Sequence, residues 1–344
     1  MKERGWIDLG KKRILNILRK YRITYTRHIE IKISEAGPFN QRVQPVLLSE
    51  SIKELRASEE IGVISQNGIL FFTAPDFGLK LDDEDRKKRF IRWHTVFNAV
   101  SRKNELCGLQ LEHLIYQAVL SLKDVFTIIG TGPMYDTDKN QLVKPAGAEV
   151  LFYNGEETYG DGGLDLFLIH KSTGIPIGIE AKNLREWLYP SSVEIWRMIA
   201  RATKFKCLPV MAARKIAYPT RAGLFSHCGI LGFESQFQYF HPNAQQYTMD
   251  RFNTPFMELV QKDGLGFADI KVVNEIPKHF LHYFGSILVK NIEEFYTKFM
   301  KYRNVLMEYA IDERLAEKDL RQRKSRYLEF REAVDLGAPD FDYD

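Results

Sequence analysis

Two carboxylates and an amine stand close together near the middle of the chain, on segments that otherwise read as apolar strands. Asp165 lies in Gly163-Leu164-Asp165-Leu166-Phe167-Leu168-Ile169, and Glu180 and Lys182 lie in Ile177-Gly178-Ile179-Glu180-Ala181-Lys182-Asn183. In the second segment, period-two alternation sets Ile177, Ile179 and Ala181 on one face and Glu180 and Lys182 on the other. A charge at the end of a buried strand is costly unless it is paired or bound to a metal. The composition of these strands therefore demands a partner. The residue types suit hydrolysis of a phosphodiester. Carboxylate oxygens are hard ligands for Mg2+, which keeps several of its waters. Such an ion lowers the pKa of a bound water and offsets charge on phosphoryl oxygens. A partly buried lysine adds an ammonium whose pKa can shift.

The elements that must position these groups can be read around them. A helix is expected from about Asn104 to Lys123, then a strand over Phe126–Ile129 and a Gly/Pro/Asp-rich excursion over Gly130–Gly147. Strands follow at Ala148–Tyr153, Leu164–His170 and Pro176–Ala181, separated by glycine-bearing turns. A helix over Ser192–Phe205, a strand over Cys207–Ala212, a short helix over Thr220–Cys228 and a strand over Ile230–Tyr239 complete an α/β unit.

This arrangement resembles the PD-(D/E)xK nuclease superfamily, which includes many restriction endonucleases and recombination nucleases. Asp165 matches the first acid, Glu180 the second, Ala181 the spacer and Lys182 the lysine; Leu164 stands where the eponymous proline would be. The superfamily often adds a glutamate from the preceding helix. Glu112, set among Leu111, Leu114 and Ile115, is the best match, ahead of Glu105. The resemblance spans about Asn104 to Tyr239 and implies a restriction endonuclease-like mixed sheet flanked by helices. It implies Asp165, Glu180 and the Ala181 carbonyl as Mg2+ ligands, with Mn2+ as a substitute. Glu112 would bind the metal through water or complete a second site. Lys182 would orient or deprotonate the attacking water. E-x-K alone is weak, since Glu30-Ile31-Lys32 repeats it; the surrounding set of elements carries the specificity.

The flanks lie outside this resemblance. Residues 1–92 read as a helical module ending in a hairpin. Ile14, Leu15, Ile17 and Leu18 recur at helical spacing within Lys11–Arg22. Thr24–Ser34 alternates like a strand at Ile29, Ile31 and Ile33, but Thr24 can also cap a helix. A loop rich in Gly and Pro, ending near Pro45, leads to a helix from Ser49 to about Ala57. Asn67-Gly68 suits a tight turn between apolar strands over residues 62–72. Helices followed by a hairpin resemble a winged helix-turn-helix, which would place Ser49, Ser51, Lys53 and Arg56 on a DNA-recognition helix. Asp82–Arg92 reads as a charge-rich, solvated helix start. Residues 93–245 hold the nuclease core, and 246–344 form a helical C-terminal region, a candidate for dimerisation, with an acidic tail.

Composition sets the outer bounds. The chain has 344 residues, 44% hydrophobic and 12% aromatic, enough for two or three packed domains. Its net charge of +4 excludes a general polycation but not local basic faces. After the motif, Arg185, Arg197, Arg201, Lys204 and Arg214 form such a cluster, and Arg197, Arg201 and Lys204 share a helix face suited to phosphates. No apolar run reaches membrane-spanning length, and the charged N-terminus lacks a secretory h-region. Three scattered cysteines, Cys107, Cys207 and Cys228, fit a reducing cytoplasm. His279 and His282 have no third ligand beside them and read as part of an aromatic helix face; Asp161 reads as turn chemistry. The expectation is a Mg2+-dependent endonuclease acting on double-stranded DNA, a type II restriction enzyme working as a homodimer. A junction resolvase-like repair nuclease, or a winged-helix regulator on an inactive nuclease fold, would share most of these features.

Overall fold

The computed structural model describes residues 3–35, 42–66, 68–101, 107, 109–136, 141–143, 149–158, 162–184, 186–253, 270–272, 275–310 and 320–336. The chain divides into two compact units, Met1–Arg102 with Asn243–Ile270, and Lys103–Pro242 with Lys271–Asp344. It is a mixed α/β protein.

The first unit begins with α1 (Glu3–Tyr21), β1 (Ile23–Tyr25) and α2 (Thr26–Glu30), which runs on as a π-helical turn over Ile31–Glu35. Then come α3 (Pro45–Ala57), the hairpin β2 (Gly62–Gln66) and β3 (Ile69–Thr73), and α4 (Asp83–Ser101). The three strands are antiparallel in the order β1-β3-β2. Ile14, Leu18, Ile29, Ile33, Leu48, Leu55 and Phe72 form the common core. The segment read as either strand or helix is both, a short strand that runs directly into helix. Helix α3 starts a turn earlier than expected, because Pro45 serves as a first-turn residue, where its missing N–H costs nothing. The hairpin forms as expected, with Gly68 at a φ of 74°.

Helices α1 and α3 pack closely at one point. A side chain on Gly10 would collide with the Ser51 hydroxyl, which lies 2.8 Å from the Leu47 carbonyl and 3.0 Å from that of Ile7. Ser51 is therefore a buried packing residue, and this corrects its assignment to a DNA-contacting face. Asp83 corrects a second expectation. It is buried instead of solvated, because Arg22 reaches it with two bonds of 3.1 Å from Nε and Nη2. The Gly78 and Lys80 amides donate to the same carboxylate, and Arg22 also binds Asp76. This clamp ties the end of α1 to the loop that leads into α4.

The second unit is built on a five-stranded mixed sheet. Its elements are α5 (Gln110–Ser121), β4 (Phe126–Thr131), two small hairpins, β5 (Met134–Asp136) with β6 (Gln141–Val143) and β7 (Phe152–Tyr153) with β8 (Glu156–Glu157), then β9 (Leu166–His170), β10 (Pro176–Lys182), α6 (Val193–Phe205), β11 (Leu208–Ala213) and β12 (Leu231–Glu234). The sheet order is β12-β11-β10-β9-β4. β4, β9 and β10 pair antiparallel, whereas β10, β11 and β12 pair parallel. Among the described residues, the strand expected at Ala148–Tyr153 shrinks to the two residues of β7, which pairs with β8 in its hairpin. The strand expected at Ile230–Tyr239 is broken into β12 and a separate Gln238–Phe240.

Alternation along the strands sends side chains into two cores. Leu166, Leu168, Ile177, Ile179, Ala181 and Val210 pack with Leu111, Leu114 and Ile115 of α5 and with Phe280 and Phe284. Phe167, Met211 and Ala213 pack with Ile195, Met198, Ile199 and Phe205 of α6. The C-terminal helices Val289–Ala310 and Leu320–Ala333 belong to this unit and supply Phe299, Leu306 and Phe330 to the second core. Gly178 is required, because a Cβ there would collide with Leu164 and Cys207. Among the described residues, no helix is long and apolar enough to cross a membrane.

Arg22 holds the Asp83 carboxyl down to about 2. The pair therefore contributes stability above the unfolded carboxyl's value of 3.8, and the contribution is lost as pH falls through about 2. Asp83→Ala would strand the buried guanidinium. Denaturant unfolding at pH 7 should show a loss on the order of 3 kcal/mol, and the loss should shrink as the pH approaches 2. An unchanged midpoint at pH 7 would show that the clamp is dispensable.

Candidate active site

The register of β9 on β10 decides the geometry. Leu166 pairs with Ile179, and one step further sets Asp165 opposite Glu180 at the mouth of the antiparallel ladder. Residues directly opposite share a face, and so do positions two apart along a strand. Asp165, Glu180 and Lys182 thus project together on the α6 side of the sheet, as the alternation predicts. Asp165 is pinned at three points. Its Oδ2 accepts from the Ala181 amide at 2.6 Å, its backbone carbonyl accepts from the Gly132 amide at 2.9 Å, and Lys182 Nζ lies 3.6 Å from Oδ2.

Glu180 is 3% exposed, and both of its oxygens are engaged. Lys182 Nζ lies 2.6 Å from Oε1 and Arg201 Nη1 lies 3.3 Å from Oε2. Even so, burial and then the charge of Asp165 push the Glu180 carboxyl above the ordinary range. Glu112, in the first turn of α5, is also buried and is pushed further, to about 9, by burial first and then by Asp165, with Glu180 and Glu149 adding to it. For Lys182, burial pulls its pKa down, but Asp165 and Glu180 outweigh that and leave it raised. While it faces both carboxylates, Lys182 stays an ammonium. In that state it can orient water or stabilise negative charge, and it cannot remove a proton.

The strand end is held by neutral polar groups. Asn183 Nδ2 donates to the carbonyls of Cys107 at 2.7 Å and Tyr239 at 2.5 Å, and its Oδ1 accepts from the Tyr239 amide at 3.0 Å. On the opposite side Glu149 accepts from the Gly163 amide at 2.5 Å and so fixes the approach to Asp165. Neither Asn183 nor Glu149 stands out in the sequence. Glu149 sits in what reads as an ordinary strand, and Asn183 reads as the residue that ends one.

The basic cluster separates into different roles. Arg197 is exposed and Lys204 half-buried on α6. Arg201, expected on the same phosphate-facing surface, instead turns into the site and pairs with Glu180. Arg214 is fully buried, with its Nε on the Leu184 carbonyl at 3.3 Å, so it cannot present a free charge to a phosphate. Arg185, Glu105, Asp161 and the tail residues 337–344 lie outside the described residues. On α3, Ser49, Lys53 and Arg56 are exposed along one face, with Lys53 paired to Glu50 at 2.6 Å. His279 lies against Phe233 and Phe280 and meets the Tyr239 hydroxyl at 3.0 Å, inside an aromatic cluster.

Among the described residues, no three His, Cys, Asp or Glu side chains are grouped so as to hold a metal by themselves. The donor chemistry nevertheless fits a hard divalent cation. The oxygens of Asp165, Glu180 and Glu112 act electrostatically on one another, and the acids stay under strain with Lys182 and Arg201 in place. A Mg2+ site needs only one or two carboxylates, with water or backbone oxygens completing it. In comparisons with known proteins, no family model, no curated protein and no solved structure matches this chain.

A raised carboxyl retains a proton that the unfolded chain has released. Without divalent ions, the protein should therefore lose stability as pH rises from about 4.5 towards 9. Glu112→Gln removes that term. Its unfolding free energy without divalent ions, read by denaturant titration, should exceed the wild type's at pH 8 by a margin on the order of 2 kcal/mol and converge with it near pH 4.5. A variant less stable than wild type at pH 8 would show that Glu112 is held by a partner instead of repelled.

Proposed function

We propose that this chain is a metal-dependent endonuclease of the PD-(D/E)xK type, cutting double-stranded DNA at a site chosen by its N-terminal unit. The observation that carries the reading is the register that sets Asp165 against Glu180, with Lys182 on the same face. The order around it supports this: a helix bearing Glu112, three antiparallel strands, then a helix crossing to a parallel strand. Asp165, Glu180 and the Ala181 carbonyl would hold Mg2+ or Mn2+, with Glu112 reaching it through water. Such an ion supplies an acidified water and relief of charge on the phosphoryl oxygens. The protein's own part is positional. The Ala181 amide fixes the Asp165 carboxylate, and the Asn183 bonds fix the strand end that carries Lys182. The Lys182 ammonium then faces the space where water and phosphate meet, orienting the one and countering charge on the other.

The reading extends to the N-terminal unit. The order helix, short strand, two helical segments and a hairpin whose second strand pairs with β1 supports a winged-helix reading. Ser49, Lys53 and Arg56 on the exposed face of α3 would meet DNA. Arg197 and Lys204 would add salt-sensitive phosphate contacts beside the nuclease site. Two copies would bring one active site to each strand, the arrangement expected of a restriction enzyme.

Incubation with unmethylated phage DNA tests this directly. Discrete fragments should form with Mg2+ or Mn2+ and not with EDTA. Asp165→Ala and Lys182→Ala should each lower cleavage at least about 100-fold while DNA binding is retained. Full cleavage by either variant would overturn the assignment, and cutting confined to branched substrates would replace restriction with junction resolution.

A further inference from the structure

The ion pair between Arg201 and Glu180 is not needed to explain how Glu180 is positioned, because Lys182 already holds that carboxylate at the shorter distance of 2.6 Å. Arg201 comes from the third turn of α6, with its side chain 16% exposed. Its fit there is incomplete. Nη1 meets Glu180 Oε2 at 3.3 Å, while Nε is buried with no hydrogen-bond partner among the described residues. Nη2 points towards Gly162, where a Cβ would lie 3.6 Å from it and 3.1 Å from Glu149 Oε1. A second carboxylate thus borders the same space as the guanidinium. Among the described residues, Glu149 is otherwise engaged through the Gly163 amide, which donates to it at 2.5 Å.

Resting on the nuclease reading above, we propose that Arg201 is a positioning residue that stands in for the divalent cation. In the cation-free protein it occupies the Glu180 oxygen that the ion needs, and it withdraws towards Glu149 when the ion binds. Chemistry favours an arginine in this role. Its charge is permanent, so it neutralises Glu180 at any working pH, and its planar fork can move from one carboxylate to another without a proton transfer. A cation cannot share Oε2 with Nη1 at ion-ligand distance without repulsion, so the two compete for one site. Glu149 gives the displaced charge a place to go. The pair therefore sets how much divalent ion is needed to arm the site.

Competition makes a prediction opposite in sign to that of a structural arginine. Calorimetric titration with Ca2+ or Mn2+, without DNA, reads the affinity directly. Arg201→Gln should bind the ion about tenfold more tightly than wild type, the size typical of coupling between two ligands. Arg201→Lys, which keeps the charge but loses the fork, should fall between the two and serves as the reference if the glutamine variant does not fold. Glu149→Gln removes the alternative partner and should weaken ion binding. Ion affinity that is unchanged or lowered in both Arg201 variants would overturn the stand-in role while leaving the nuclease reading intact. A wild-type chain that binds no divalent ion would overturn both.

Discussion

Like charges brought together at the end of an antiparallel ladder are the constraint around which the second unit is organised. Asp165 and Glu180 face each other because the β9–β10 register leaves them no alternative, and that register is fixed by the apolar residues behind it. A slip of one residue would turn Ile177, Ile179 and Ala181 away from the α5 side and drive Glu180 and Lys182 into the apolar core there, away from Arg201. Hydrophobic burial thus holds the acids in a position they would not choose. Gly178 allows the close packing that makes the register tight, since any larger residue would strike Leu164 and Cys207.

The chain meets buried charge in two opposite ways. In the first unit, Asp83 accepts from Arg22 and from two backbone amides, and its carboxyl falls to about 2. All its bonding capacity is used, and nothing is left for a ligand. In the second unit, Glu112 and Glu180 stay raised although Lys182 and Arg201 lie among them. A network built only for stability would have matched these acids with more donors. Acids raised in this way by burial and by one another cluster at functional sites, which is why the proposed function is placed here and not at Asp83.

Much of this was legible in the residues, for identifiable reasons. Alternation in Ile177–Lys182 told which side chains share a face, because a strand's period of two is fixed by the backbone. The Asn-Gly pair told where the hairpin turns. The segment at Ala148–Tyr153 was misleading, since its apolar residues mark a short hairpin beside the sheet and not a strand within it. Asp83 looked solvated amid its charged neighbours because its partner, Arg22, lies 61 residues earlier in sequence. Ser51 and Arg214 failed for the same reason. Polar residues on a helix or after a strand carry no local sign of being buried, and only tertiary packing turned them inward.

Arg201 shows why a basic stripe on a helix is a poor guide to a binding surface. Arg197, Arg201 and Lys204 follow the same helical spacing, yet Arg197 faces solvent and Arg201 faces Glu180. Three- and four-residue steps on a helix drift around its circumference, so members of one stripe can fall on either side of its boundary with the core. The β10–α6–β11 crossover packs α6 against the sheet face that carries Glu180, and the inner edge of the stripe is drawn into the acid cluster. Asn183 completes the arrangement from the far side by tying the end of β10 to the backbone at Cys107 and Tyr239. The carboxylates are therefore held by a rigid frame, while the charges opposing them sit on long, flexible side chains.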